Sequence, residues 1–131
     1  SMNRVLIVDD QPHVIRVLKL NLEAEGYRVD SAANGEEALL KIAANEPDVM
    51  ITDIQMPGMN GQQLCLSIQE NMPQRKFLIL VMTSTTERDQ RDWVKNMTHL
   101  EFLEKPLSPR KLLNRLKLYF SKAAGSENPH G

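Results

Sequence analysis

Asp53 closes the stretch Val49-Met50-Ile51-Thr52-Asp53, and Ile54-Gln55-Met56-Pro57-Gly58 follows at once. Asp9-Asp10 stands the same way after Val5-Leu6-Ile7-Val8, Thr83 after the apolar run 77–82, and Lys105-Pro106 after 100–104. Three carboxylates, a hydroxyl and an ammonium suit oxygen-ligand chemistry with a hard cation. Magnesium takes one or two carboxylates and completes its shell with waters and phosphate oxygens. Unit charges about 4 Å apart repel by roughly 4 kcal/mol at an effective dielectric near 20. Such a cluster is costly when empty, and Lys105 with a divalent cation would relieve it. An aspartate can also attack a phosphoryl group and hold it as an aspartyl phosphate. The remaining groups then position and neutralise. Lys105 suits phosphate oxygens as a compact point charge, and Thr83 can donate one hydrogen bond to them.

These positions form a site only if the chain brings them together. Residues 4–8 read as a strand that stops on two acids. Pro12 in a first turn opens a helix, with Asp10 placed to cap it. Val14, Ile15, Val17, Leu18 and Leu22 give that helix its stripe, and Gly26 ends it. Residues 27–31 alternate as a second strand. Asn34-Gly35 leads into a helix over 36–45 with Ala38, Leu39 and Ile42 inward. The Asp53 strand and the run 77–82 are apolar enough to be buried on both faces. Between them Asn60 caps a third helix with Leu64 and Ile68 inward, closed by Pro73. The pattern predicts a fourth helix over about 87–97, carrying Trp93, Val94 and Met97. A fifth strand over 100–104 follows. Ser108-Pro109 opens the last helix, lined by Leu112, Leu113, Leu116 and Tyr119. From about Ala123 the composition turns to Gly, Ser, Asn and Pro, which predicts a frayed tail.

Five strands alternating with five helices imply a parallel sheet covered on both faces, an α/β doubly wound (βα)5 fold. All the strand ends named above then share one edge, where open α/β sheets place their ligands. The whole chain sets bounds on function. A length of 131 residues suits one domain, and 16 basic against 17 acidic residues leave a net charge of −1. That balance gives no reason to expect nucleic-acid binding. The single Cys65 cannot form an internal disulfide and suits a reducing compartment. No apolar run approaches the ~20 residues of a membrane span, and no signal-peptide pattern opens the chain. The expected setting is cytoplasmic, without membrane association, and Ser1 ahead of Met2 reads as a cloning remnant.

Asp9-Asp10, Asp53 with Met56-Pro57-Gly58 and Gly61, Thr83, and Lys105-Pro106 together resemble the receiver domain of two-component response regulators. The match spans about residues 3–121, leaving 122–131 as a flexible tail or the start of a linker. The resemblance implies the flavodoxin-like strand order 2-1-3-4-5 that chemotaxis regulators also have. It implies that Asp53 is the phosphoacceptor and Asp10 a direct Mg2+ ligand. Asp9 would assist through water, and the Gln55 backbone carbonyl would complete the metal shell. Thr83 and Lys105 would hold the phosphoryl oxygens, with Thr83 and Phe102 as switch residues and Lys105-Pro106 usually a cis bond. It further implies a bacterial phosphorelay protein, a signalling switch with self-phosphorylation and autodephosphorylation rather than a turnover enzyme. The phosphoryl donor would be a sensor histidine kinase or phosphotransfer protein. The output would be an effector or homodimer engaged through the fourth helix, fifth strand and last helix. Departures exist: Lys95-Asn96-Met97-Thr98-His99 replaces a common Gly-Ala pair, and Ser84 a common Ala. Gln55 and Thr85 occupy variable positions that tune phosphoryl lifetime.

Two other classes compete. An aspartate-nucleophile phosphohydrolase typically repeats an Asp two residues after the nucleophile, and that position is Gln55. A flavin module of the same architecture needs a Ser/Thr/Gly-rich phosphate loop after the first strand, where two acids stand. Plainer readings apply to single residues. Asp10 alone could be only a cap, and Phe102 only core. Trp93 fits a core anchor or a partner surface equally. Cys65 reads as inert packing, His13 as an exposed first-turn residue, and His99 and His130 lack partners at ligand spacing. The charged run 87–92 reads as a solvated helix face.

Overall fold

Successive side chains of a strand point to opposite faces, and here both faces are apolar. Val5 and Ile7, Val49 and Ile51, and Leu78, Leu80 and Met82 enter one core layer. Leu6 and Val8, Met50, and Ile79 and Val81 enter the other. The computed structural model describes residues 3–84 and 92–127. Within it β1 (Arg4–Val8), β2 (Arg28–Ala32), β3 (Val49–Asp53), β4 (Leu78–Thr83) and β5 (Leu100–Glu104) form one parallel sheet, ordered β2-β1-β3-β4-β5. Helices α1 (Pro12–Ala24), α2 (Gly35–Ala44), α3 (Gly61–Asn71) and α4 (Pro109–Glu127) connect and cover it. Leu18 and Leu22 of α1 and Leu112 and Leu116 of α4 close the first layer. Ala38 and Ile42 of α2 and Leu64, Cys65 and Ile68 of α3 close the second. The expected fold class and strand order hold.

Local chemistry sets the element ends. The Asn60 side chain accepts from Gln63 N–H while Gln63 reaches back to Asn60 N–H, a complete capping box. Asn34 caps α2, and Ser108 accepts from Lys111 N–H at the start of α4. The cap expected from Asp10 is not formed: α1 has Gln11 at its N-cap, with no side-chain cap bond. Asp9 reaches Gln11 N–H first, which leaves Asp10 exposed. Val17, at the margin of the α1 stripe, is 47% exposed rather than inward.

Four α-helices, not five, occur among the described residues. The start of the helix expected over 87–97 and most of the 87–92 charged run lie outside them, as do Thr85, His130 and the Ser1-Met2 start. The described remainder holds a single 3-10 turn, Asp92–Val94. At the other end α4 continues to Glu127, past the expected change at Ala123. Two alanines, the best helix formers, carry it through that point. No helix among the described residues is long and apolar enough to cross a membrane.

The entry to β5 is held by an unexpected contact. Arg75 donates to the carbonyls of Phe77 at 2.7 Å, Thr98 at 2.5 Å and His99 at 3.3 Å. Its guanidinium also lies over the Phe77 ring, 5.5 Å from the centroid. His99 adopts φ +57, a conformation costly for any residue with a Cβ, and its ring bonds the Tyr119 hydroxyl at 2.9 Å. Hydrogen bonds that involve a charged group contribute about 1.5–3 kcal/mol. Arg75→Ala is therefore expected to destabilise the fold by about 2 kcal/mol in chemical denaturation, and Arg75→Lys by less, since its ammonium can keep one of these bonds although it cannot fork between carbonyls. An Arg75→Ala midpoint equal to wild type would remove the clamp.

Candidate functional site

Register alone assembles the site. Val8 pairs with Thr52 across β1 and β3, so the next step along each strand sets Asp9 beside Asp53. Asp53 pairs with Met82, and Thr83 with Glu104, so Thr83 and Lys105 arrive at the same edge. Two backbone bonds fix the rim: Asp9 N–H donates to Ala32 O at 3.0 Å, and Lys105 N–H to Thr83 O at 2.8 Å. The peptide bond between Lys105 and Pro106 is cis.

Carboxylate oxygens of Asp9, Asp10 and Asp53 all lie within 4.8 Å of one another. Asp9 and Asp53 are buried, Asp10 is exposed. Lys105 Nζ donates to Asp53 Oδ1 at 2.7 Å, and Ile54 N–H donates to the same oxygen at 2.8 Å. Both described bonds to Asp53 thus fall on Oδ1, none on Oδ2. Thr83 is wholly buried, yet its hydroxyl finds no hydrogen-bond partner among the described residues. A buried donor left unmatched costs about 1–3 kcal/mol, so this hydroxyl is suited to an oxygen brought by a ligand. Gln55 follows in the loop after β3 with its side chain exposed. Phe102 lies on β5, half-buried, with the Trp93 ring edge-on at 6.0 Å.

Asp9, buried beside Asp53, forms no ion pair among the described residues. Burial pushes its carboxyl above the ordinary 3.8, opposed by Gln11 N–H and reinforced by the Asp53 and Asp10 charges. A hard cation bound between these carboxylates would offset that burial, and the donor set is all oxygen, as magnesium requires. A cavity of about 460 Å3 opens beside the acids, with Val14, Leu18, Met82 and Leu107 among its walls. The other singled-out groups lie elsewhere. Cys65 is buried in the α2–α3 layer, its thiol pushed up to about 12 by burial, which keeps it protonated. His13 is exposed. One participant escaped the sequence reading: Glu36, whose carboxylate accepts from Met59 N–H at 3.1 Å. An acid in a helix's first turn is ordinarily explained by the helix dipole, which masks a partner 23 residues away.

A family model described as the response regulator receiver domain matches residues 5–117. The chain belongs to this family. The alkaline phosphatase synthesis transcriptional regulatory protein PhoP of Bacillus subtilis is 32% identical over 114 residues, which is 87% of this chain and 47% of the relative. The chain spans about half the length of several such relatives. The structure of the chemotaxis response regulator CheY4 of Vibrio cholerae superposes with a TM-score of 0.80 at 32% identity, covering 89% of this chain and 98% of that one. The response regulator TrrA of Thermotoga maritima, solved with Mg2+ and BeF, gives a TM-score of 0.75 at 33% identity, covering 88% and 97%. Receiver domains are signalling switches and generally not turnover enzymes.

The Asp9 shift has a sign. A carboxyl whose folded pKa exceeds its unfolded value contributes stability that is full below the unfolded value and lost as pH rises through the folded one. At pH 7 the folded receiver therefore carries the burden of a charged, buried Asp9. Asp9→Asn keeps an oxygen for Gln11 N–H and removes the charge. Without metal it is expected to melt several degrees above wild type at pH 7, the gap closing toward pH 4. A variant that melts level with or below wild type at pH 7 would contradict this.

Proposed function

We propose that this receiver domain takes a phosphoryl group onto Asp53 from a histidine kinase or phosphotransfer protein, and that the modified surface engages an effector or a second copy. The observation that carries the reading is the buried Asp53 carboxylate, bonded to Lys105 on one oxygen and without a bond to the other among the described residues. Oδ2 attacks phosphorus, a new O–P bond forms, and the P–N bond of the donor phosphohistidine breaks with its electron pair returning to the imidazole. Asp10 and Asp53 would hold Mg2+ directly, with Asp9 through water and the Gln55 carbonyl completing the set. When bound, that ion supplies neutralisation of charge on the transferring oxygens. Lys105 shifts its donation from Asp53 to a phosphoryl oxygen, and the Thr83 hydroxyl gains a partner that it does not find among the described residues. Autodephosphorylation by water would reset the switch.

A phosphoryl group brings close to two negative charges and three strong acceptor oxygens. Drawing Thr83 toward them vacates space beside β5, which Phe102 fills by turning inward. The face of the predicted fourth helix, β5 and α4 then differs between states, with Trp93 as contact or reporter.

Treatment with a small acyl phosphate and magnesium is expected to add one phosphate to wild type and none to Asp53→Asn by intact mass. Equal adduct in the variant would refute the assignment. Thr83→Ala should still accept the phosphoryl group yet lose most of the change in partner binding or dimerisation that a stable phosphoryl mimic produces in wild type. Full switching in Thr83→Ala would show that the coupling does not pass through this hydroxyl.

A further inference from the structure

The seven residues between β3 and α3, 54–60, include Gln55, so their conformation sets where its carbonyl points. Three anchors hold the near limb. Ile54 N–H is bound to Asp53, Met56 is buried in the core, and Gly61 N–H donates to Ile54 O at 2.9 Å. At Gly61 the backbones meet so closely that a Cβ would lie 2.1 Å from Asp53 O. The far limb turns at Gly58, φ +69, a residue that adopts this region without strain and restrains the loop little.

What holds the far limb is the first turn of α2. Gly35 N–H donates to Met59 O at 3.1 Å, and Met59 N–H donates to Glu36 Oε1 at 3.1 Å. Both polar groups of one loop residue are thus taken by two consecutive residues of α2. The fit is close: a Cβ on Gly35 would stand 2.5 Å from Met59 Cγ, and one on Gly58 would stand 3.3 Å from Glu36 Oε1. That first turn is itself fixed, since Asn34 accepts from Glu37 N–H at 2.8 Å and Glu37 accepts from Ala33 N–H at 3.0 Å. A glutamate at this position could serve the helix dipole with its carboxylate in solvent. Instead it spans to a backbone donor in the loop behind Asp53.

We propose that Glu36 is a positioning residue for the phosphoryl site, its carboxylate latching the loop through Met59 N–H so that the Gln55 carbonyl faces the cation. This rests on the reading of Asp53 as acceptor with Asp9, Asp10 and Gln55 about the metal. The latch works through a hydrogen bond of defined reach, so charge alone does not replace it. Glu36→Gln keeps the reach and an acceptor oxygen. Glu36→Asp keeps the charge but is one methylene short. Glu36→Ala keeps neither.

The test compares these three variants with wild type by amide hydrogen exchange at Met59, by magnesium titration read as thermal stabilisation, and by phosphorylation with a small acyl phosphate. In Glu36→Ala and Glu36→Asp, Met59 exchange is expected to speed up, and half-saturating magnesium to rise about tenfold, the low end for loss of a group supporting a metal ligand. Their phosphorylation should recover at saturating magnesium, while Glu36→Gln stays near wild type in all three readouts. Unchanged Met59 exchange or unchanged magnesium demand in Glu36→Ala overturns the latch, as does Glu36→Gln failing as badly as Glu36→Ala. Wild type that neither stabilises with magnesium nor takes phosphate would instead sink the reading of the site, with Met59 exchange still reporting on the Glu36 bond.

Discussion

Two buried carboxylates share one ammonium. Asp9 and Asp53 end adjacent strands, 2% and 4% exposed, and the only described ion pair between them and a cation joins Asp53 to Lys105. Hydrogen bonding along the parallel sheet prevents the acids from parting, because moving one would break the ladder that carries β1 and β3. Nor can a register slip relieve them, since a one-residue shift would turn every core side chain to the wrong face. The apolar layers that stabilise the sheet thus enforce the repulsion at its rim. At about 4.8 Å a pair of unit charges repels by roughly 3 kcal/mol at an effective dielectric near 20.

That constraint gives the surrounding groups their meaning. A site that only needed stability would place apolar side chains at these strand ends, as replacing a buried ion pair by well-packed apolar groups is often neutral or stabilising. Here burial raises the Asp9 carboxyl, and the Thr83 hydroxyl sits buried without a partner among the described residues. Both are deficits that a cation and a phosphoryl group would fill. The proposed ligands are thereby inferred from what the folded chain leaves unsatisfied as well as from kinship. Functional sites commonly hold such locally unfavourable arrangements, offset by packing elsewhere. In this receiver the offset lies in β1, β3 and β4, whose side chains are almost all buried.

The parallel layers and the meeting of Asp9, Asp10, Asp53, Thr83 and Lys105 were legible in the residues, because apolar runs ending on polar residues are a one-dimensional signal. The strand order, by contrast, was implied only by the resemblance to receiver domains. Asn60 and Ser108 were legible as caps because residues of that type directly precede a helical pattern. The cap assigned to Asp10 failed because two adjacent acids compete for one turn, and sequence does not say which turns inward. Asp9 took Gln11 N–H. Arg75 with the carbonyls of Phe77, Thr98 and His99 could not be read, since carbonyl partners leave no trace in residue type. Glu36 was hidden for a related reason: its partner is the backbone of Met59, and a helix-start acid has a sufficient local explanation. The continuation of α4 to Glu127 shows that composition marks a helix end poorly when two alanines precede the glycine.

The position of Phe102 relative to Thr83 follows from the β4–β5 register. Val81 pairs with Phe102 and Thr83 with Glu104, so Thr83 and Phe102 lie on one face of adjacent strands, one diagonal apart. Strands about 4.8 Å apart and a rise of about 3.3 Å per residue put that diagonal near 8 Å. Such a step is short enough for one side chain's displacement to change the space open to the other by direct packing. The proposed coupling therefore needs no chain of intermediaries through the core. Its far end is Trp93, already edge-on to Phe102 and half-buried, so a rotation of Phe102 must either carry Trp93 with it or break that ring contact. In both cases the proposed change would emerge on the outer edge of β5, the sheet edge furthest from β2.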